Sequence, residues 1–171
     1  MKYSIKILVM DVDGTLTDGK IYMGESGELF KRFDVKDGCG IKDILPKMDI
    51  WPVIITARKS IYLKNRCDEL NIKYYFQGVR DKYQQLMEIL HFFSQKTGKI
   101  YTLKHVAYIG DDILDLECMN PIKEANGLIG CPFDAVRSVK NISDYISPFT
   151  GGNGAVRDFI EYIASNRYGN L

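Results

Sequence analysis

An apolar run that ends in two carboxylates constrains this chain more than any other feature. Residues 5–10, apolar except for Lys6, form the run, and Asp11-Val12-Asp13-Gly14-Thr15 follows at once. An apolar run of this length, bounded by a turn, is typical of a buried strand in a parallel sheet. Open α/β sheets bind ligands beyond the carboxyl ends of their strands, so this pair of aspartates is predicted to lie in a ligand site.

The spacing of the two carboxylates indicates what that ligand site holds. Strand alternation predicts that Asp11 and Asp13 point to the same side, with Val12 turned away. Two carboxylates so close repel each other, and one takes up a proton unless a cation intervenes. Magnesium prefers hard oxygen ligands and keeps water molecules that a phosphate can displace. The segment therefore favours magnesium-dependent chemistry at phosphorus, with an ordinary solvated turn as the alternative.

Length and composition favour one domain over residues 1–171 and exclude several classes of partner. A chain of 171 residues is long enough for one well-filled core and short for two. The net charge of +1 provides no basic field for nucleic acid. The four cysteines form no CxxC pair, which favours idle thiols in a reducing compartment. No apolar stretch suits a signal peptide or a membrane span, so we expect a cytoplasmic protein without a membrane partner.

Strand-like apolar runs alternate with helical patterns along the rest of the chain. Further strands are predicted at 50–55, 73–76, 105–109, 127–131 and 144–146. Asp37 and Ser60 are predicted to cap the helices that follow them. The alternation favours an α/β fold with a doubly wound parallel sheet covered on both faces.

Residues 20–33 interrupt this alternation with two short strand-like runs around a Gly-Glu-Ser-Gly turn. The pattern predicts a small β-hairpin insertion. Its apolar residues exceed what a lone surface hairpin needs, so we expect it to pack on something, such as another subunit. The segments between strand ends are too short for a second domain, so no cap domain is expected.

Polar side chains follow four of the predicted strands, and a doubly wound sheet gathers such strand ends at one edge. They are Asp11 and Asp13, Thr56, Lys82, and Asp111 with Asp112. Each residue type has a role in phosphoryl transfer, which depends on positioning and on neutralising charge. Taken singly, each has an ordinary structural explanation; the ordered set is far more specific.

The roles follow from the chemistry of each group. Asp11 is the candidate nucleophile, and Asp13 is the acid that protonates the leaving oxygen and then the base that activates water. Thr56 can donate a hydrogen bond to a phosphate oxygen, while Lys82 binds phosphate and keeps Asp11 ionised. Asp111 completes the magnesium site formed with Asp11 and Asp13. Two nearby carboxylates are expected to support it: Asp112 and Asp115.

The ordered set Asp11-Val12-Asp13-Gly14-Thr15, Thr56, Lys82 and Gly110-Asp111-Asp112-Ile113-Leu114-Asp115 resembles the haloacid dehalogenase superfamily of aspartate-nucleophile phosphatases. The resemblance implies a bound Mg²⁺, a Rossmann-like fold and the roles given above. With no cap insertion expected, the chain is similar to the capless subclass of that superfamily.

Further segments resemble the 3-deoxy-D-manno-octulosonate 8-phosphate phosphatases, and with them the resemblance covers nearly the whole chain. They are residues 16–19, 21–24, 37–41, 77–78 and 151–157. These enzymes remove phosphate from a sugar acid used in lipopolysaccharide synthesis, which implies a small-molecule sugar-acid phosphate as the partner. Members are tetramers in which the hairpin packs between subunits, which implies a homotetramer here.

The residues after Thr56 bear on which sugar acid is bound. Arg58-Lys59 is similar to the octulosonate enzymes, whereas phosphatases of nine-carbon sialic-type acids tend to carry an acidic residue at position 58. A cation there suits a substrate carboxylate, with a solvated cation at the start of a helix as the alternative. Ala57 and Asn153 depart from the family's usual Gly and Arg, which bears on substrate contacts rather than on the chemistry.

Three other functions stay open on the sequence. The first is a phosphatase for a nine-carbon sugar-acid phosphate. The second is a receiver-like signalling domain, which also carries an acidic cluster, a threonine and a lysine on a parallel sheet. In a receiver, however, the acidic residues precede the threonine and lysine, whereas here Asp111 and Asp112 follow Lys82. The third is an inactive assembly module, which the filled catalytic positions disfavour.

Overall fold

A computed structural model describes residues 4–168, whose main sheet has six parallel strands. The strands are β1 (Ile7–Met10), β4 (Trp51–Thr56), β5 (Tyr74–Gln77), β6 (Val106–Ile109), β7 (Leu128–Cys131) and β8 (Tyr145–Ile146). They lie in the order β5-β4-β1-β6-β7-β8. The chain runs outward from β1 to β5 and then crosses to β6, so the switch point of the sheet lies between β1 and β6.

Helices cover both faces of this sheet. They are α1 (Val35–Cys39), α2 (Ile61–Glu69), α3 (Lys82–Thr97), α4 (Leu116–Glu124), α5 (Arg137–Ile142) and α6 (Ala155–Tyr168). Alternation along β1 directs Leu8 and Met10 to the core beneath α2 and α6, while Ile7 and Val9 enter the core beneath α3, α4 and α5. The predicted doubly wound α/β fold is confirmed.

The predicted hairpin is also confirmed, as an antiparallel pair of β2 (Tyr22–Gly24) and β3 (Gly27–Phe30). It lies between β1 and α1, and residues 4–168 contain no cap domain. Several of its apolar side chains are exposed: Ile21, Met23, Leu29 and Phe30. Among the helices of residues 4–168, none has the length and apolar character needed to cross a membrane.

The predicted cap at Asp37 is wrong, and Ser60 occupies the predicted N-cap position of α2 without a capping bond, because both side chains bind partners far away in sequence. Asp34, not Asp37, caps α1 by accepting a hydrogen bond from Lys36 N. Asp37 lies buried inside α1 and accepts from Arg157 N in the first turn of α6, at 2.7 Å. Ser60 precedes α2, but its hydroxyl makes no capping bond there.

A glycine-rich loop, residues 150–154, packs on the turn that follows β1. Gly152 N donates to Thr15 O at 3.0 Å. A Cβ atom at Gly151 would overlap the carbonyl oxygen of Gly14, so only glycine lets the two backbones approach this closely. The loop leads directly into α6, whose first turn Asp37 holds. The C-terminal part of the chain therefore supports the turn that bears the first two aspartates.

Candidate active site

Four elements deliver the predicted residues to one edge of the sheet. Asp11 follows β1 directly and extends its pairing with β6, since its N–H donates to Ile109 O at 3.0 Å. Thr56 is the last residue of β4 and is buried. Lys82 is the first residue of α3 rather than a strand end, and Asp111 lies two residues beyond β6. The edge is the one at which open α/β sheets bind ligands.

Lys82 forms the centre of this site. Its Nζ lies 2.7 Å from Asp11 Oδ1 and 2.8 Å from Asp115 Oδ1, and all three side chains are buried. Burial would lower the pKa of Lys82, but the two carboxylates outweigh it and raise that pKa well above its usual value. Lys82 therefore stays charged beside Asp11, as the sequence predicts for a group that binds phosphate.

Asp115 supports the site with its full hydrogen-bonding capacity. Its Oδ1 accepts from Lys82 and from the Tyr108 hydroxyl, which lies 2.8 Å away. Its Oδ2 accepts from Asp111 N at 3.0 Å and from Asp112 N at 3.2 Å. Four donors occupy the four lone-pair positions of the carboxylate, so Asp115 fixes its neighbours rather than binding a ligand.

Three carboxylates of this edge approach one another closely enough to hold a metal ion. Oxygen atoms of Asp11, Asp111 and Asp115 lie within 4.8 Å of one another. Burial, together with the neighbouring carboxylates, raises the pKa of Asp11 to about 7 and that of Asp111 to about 8. Because the Asp115 oxygens already accept four hydrogen bonds, Asp11 and Asp111 are the groups best placed to bind a hard cation such as Mg²⁺.

The turn after β1 is shaped around Asp111. The Thr15 hydroxyl donates to Asp111 Oδ1 at 3.0 Å. Gly14 has a φ angle of +97°, and a Cβ atom there would overlap the Asp111 carboxylate. A side chain at position 14 would therefore both strain the backbone and displace a candidate metal ligand.

The Asp13 carboxylate lies apart from that group of three. Its Oδ1 bonds to Lys31 Nζ, and its Oδ2 lies 4.0 Å from Arg58 Nε. Lys31 Nζ and Arg58 Nη2 also contact Glu28 Oε1, at 3.1 and 3.3 Å, and the Ser60 hydroxyl donates to Glu28 Oε2 at 2.6 Å. Asp13 is thus joined to the hairpin through a network of two cations and two carboxylates.

The remaining predicted residues lie around this edge. The Arg58 N–H donates to Thr56 Oγ1 at 3.4 Å. Lys59 is exposed, and its side chain runs close to Gly78. Asp112 is also exposed and accepts from Ile113 N at 2.7 Å, so it caps the helical turn that follows.

Sequence reasoning missed three participants: Lys31, Glu28 and Tyr108. Tyr108 carried a usable signal, because a tyrosine inside a buried strand needs a partner for its hydroxyl, and Asp115 follows one helical turn beyond that strand. Lys31 and Glu28 carried none, since charged residues at a hairpin end are ordinarily solvated.

Comparisons with known proteins agree on one family. The chain is 38% identical over 161 residues to 3-deoxy-D-manno-octulosonate 8-phosphate phosphatase KdsC of Escherichia coli (strain K12), covering 94% of this chain and 79% of that protein. No protein-family model matches it.

Solved structures extend the similarity to the fold. A 3-deoxy-D-manno-octulosonate 8-phosphate phosphatase from Moraxella catarrhalis, in complex with magnesium, phosphate and KDO, has a TM-score of 0.82 at 37% identity, covering 96% of this chain and 88% of that one. A HAD superfamily (subfamily III A) hydrolase from Legionella pneumophila has a TM-score of 0.83 at 33% identity, covering 96% and 84%.

Proposed function

Because this chain belongs to the 3-deoxy-D-manno-octulosonate 8-phosphate phosphatase family of the haloacid dehalogenase superfamily, we propose that it is the magnesium-dependent enzyme that hydrolyses this sugar-acid phosphate. The products are 3-deoxy-D-manno-octulosonate and phosphate. The observation that carries the proposal is the buried Lys82, which bonds to Asp11 and Asp115 beside Asp111. A buried ammonium among carboxylates at a sheet edge suits a dianionic phosphate together with a divalent cation.

The reaction divides between two aspartates. Asp11 attacks phosphorus and forms an oxygen–phosphorus bond while the ester bond breaks, and Asp13 gives a proton to the leaving sugar oxygen. Asp13 then accepts a proton from water, whose oxygen bonds to phosphorus as the bond to Asp11 breaks. Phosphate leaves, and the Asp11 carboxylate is restored.

The other residues act on charge and position. Lys82 and the Thr56 hydroxyl bind phosphate oxygens, and Asp115 holds Lys82 in place. The candidate metal ligands are Asp11, Asp13 and Asp111. Of these, Asp11 and Asp111 belong to the cluster of three carboxylates that also contains Asp115. Magnesium, when bound, supplies positive charge to the phosphate oxygens.

The residues that bear on which sugar acid is preferred are Arg58 and Lys59. We propose that they bind the substrate carboxylate, which favours the eight-carbon acid over a nine-carbon sialic-type acid. The Arg58 guanidinium extends toward Asp13 and Glu28, and the side chain is partly exposed. A panel of eight- and nine-carbon sugar-acid phosphates, compared by kcat/KM, decides between them.

Asp11→Asn tests the chemistry. The amide cannot attack phosphorus, so hydrolysis should be abolished while the fold is retained. Asp68→Asn, an exposed position on α2, is the matched control and should keep wild-type activity. Residual turnover by Asp11→Asn would refute the nucleophile assignment, and a long-lived phosphorylated wild-type protein would favour the receiver-like function.

We also propose that the protein is a cytoplasmic homotetramer of one domain and acts in lipopolysaccharide precursor synthesis. The exposed apolar side chains of the hairpin support an interface there, because an isolated hairpin with such a surface is marginal in water. Light scattering gives the mass in solution. A monomer at micromolar concentration would argue against the tetramer.

A further inference from the structure

Lys31 directly follows β3 and links the hairpin to Asp13, the candidate acid–base, and neither the sequence motifs nor the family assignment gives it a role. Its side chain is only 2% exposed, and its Nζ bonds to Asp13 Oδ1 and lies 3.1 Å from Glu28 Oε1. We propose that Lys31 is a positioning residue for Asp13, through which the hairpin sets the rate of aspartyl-phosphate hydrolysis. The inference rests on the proposed function, in which Asp13 activates the attacking water.

Glu28 holds the Lys31 ammonium group in position. A buried ammonium is stable only when it is paired and hydrogen-bonded. Glu28 supplies one partner and is itself held by the Ser60 hydroxyl at 2.6 Å and by Arg58 Nη2 at 3.3 Å. The Lys31 ammonium group therefore contacts Asp13 from a position that Glu28 restrains.

Lys31 has a stronger hold on Asp13 than Arg58 has. The Arg58 Nε lies 4.0 Å from Asp13 Oδ2, and the Arg58 side chain is 39% exposed, so water screens that pair. Lys31 contacts Asp13 directly with almost no exposure to water. Removing Lys31 leaves the Asp13 carboxylate without the contact that defines its orientation. Lys82 and the three carboxylates around it, those of Asp11, Asp111 and Asp115, keep their contacts with one another.

An aryl phosphate separates the two halves of the reaction. When Asp11 attacks nitrophenyl phosphate, the oxygen–phosphorus ester bond breaks and nitrophenolate leaves with the electron pair, needing no proton from Asp13. In the second half, water forms a bond to phosphorus, the bond to Asp11 breaks, and the water proton passes to Asp13. A residue that acts through Asp13 should slow the second half alone.

Rapid-mixing kinetics of Lys31→Met with nitrophenyl phosphate and magnesium test this. We expect the burst of nitrophenolate to keep its wild-type rate constant while steady-state turnover falls by about 10- to 100-fold, because the phosphoenzyme accumulates. The control Lys20→Met changes an exposed lysine just before β2 and should leave both rates unchanged. A burst and a steady state that fall together, or a steady state that stays the same, would overturn the inference.

A second variant covers the case in which Lys31→Met fails to fold. Lys31→Gln combined with Glu28→Gln removes one charge of each sign, keeps the net charge and leaves hydrogen-bonding groups at both sites. The same selective loss of steady-state turnover is expected, and an unchanged turnover would overturn the inference. If wild-type protein releases no phosphate from 3-deoxy-D-manno-octulosonate 8-phosphate, the proposed function itself fails, which is a distinguishable result.

Discussion

Replacing Asp111 with asparagine should stabilise the metal-free protein while it removes activity. The Asp111 carboxylate is half-buried beside Asp11 and Asp115, and desolvation together with these neighbouring carboxylates raises its pKa to about 8. An asparagine removes the repulsion, and its Oδ1 can keep the hydrogen bond from Thr15, now 3.0 Å long. The same change removes a candidate magnesium ligand, so stability and function should move in opposite directions.

The sign and size of the effect follow from that pKa. The pKa of Asp111 in the folded protein lies above its ordinary value of 3.8. The contribution of Asp111 to the free energy of unfolding is therefore fully present below pH 3.8 and is lost as the pH rises to about 8. The whole difference corresponds to about 6 kcal/mol at 1.36 kcal/mol per pKa unit. Asp11 shares the repulsion, and its own pKa of about 7 leaves it charged at the higher pH, so we expect asparagine to recover only about 1–3 kcal/mol there.

Urea denaturation with a chelator, at about pH 5 and about pH 8.5, measures the difference in free energy of unfolding. The advantage of Asp111→Asn should grow with pH, and added magnesium should stabilise wild type more than the variant. Asp112→Asn is the control, since this exposed side chain caps a turn and an asparagine can do the same. A variant less stable than wild type at the higher pH, or an advantage independent of pH, would refute the reasoning.

Three further changes test other contacts. Tyr108→Phe removes the hydroxyl bonded to Asp115 and should lower the free energy of unfolding by about 1–2 kcal/mol, measured by urea denaturation; no loss would mean that the bond is unimportant. Gly14→Ala should weaken magnesium activation of hydrolysis at least about tenfold, because its Cβ overlaps Asp111; an unchanged magnesium titration would contradict this. Arg58→Ala should raise KM about tenfold for carboxylated sugar phosphates and little for simple esters; equal changes for both would show that Arg58 does not bind the carboxylate.

The sheet could be predicted because its signals are local. Each buried strand is a short apolar run with a turn after it, and β1 alternates between two cores, as a strand with two covered faces must. The placement of Asp11, Thr56 and Asp111 at one edge then follows from topology alone.

Side-chain partners far apart in sequence could not be predicted in this way. Asp37 has the composition of a local helix cap, yet its carboxylate holds a helix that begins 118 positions later, at Ala155. Ser60 donates to Glu28 across 32 positions. These hydrogen-bond partners depend on which polar groups the complete fold buries together. The periodicity of the sequence does not contain this information.

The contact between the glycine-rich loop and the turn after β1 has a consequence for biosynthesis. During synthesis, Asp11, Lys82 and Asp111 leave the ribosome well before residues 150–154. A nascent chain would therefore contain these three residues before the loop that supports the turn after β1 is in place. We expect catalysis to switch on only when the last helix docks, and to vanish first when that helix is pulled away.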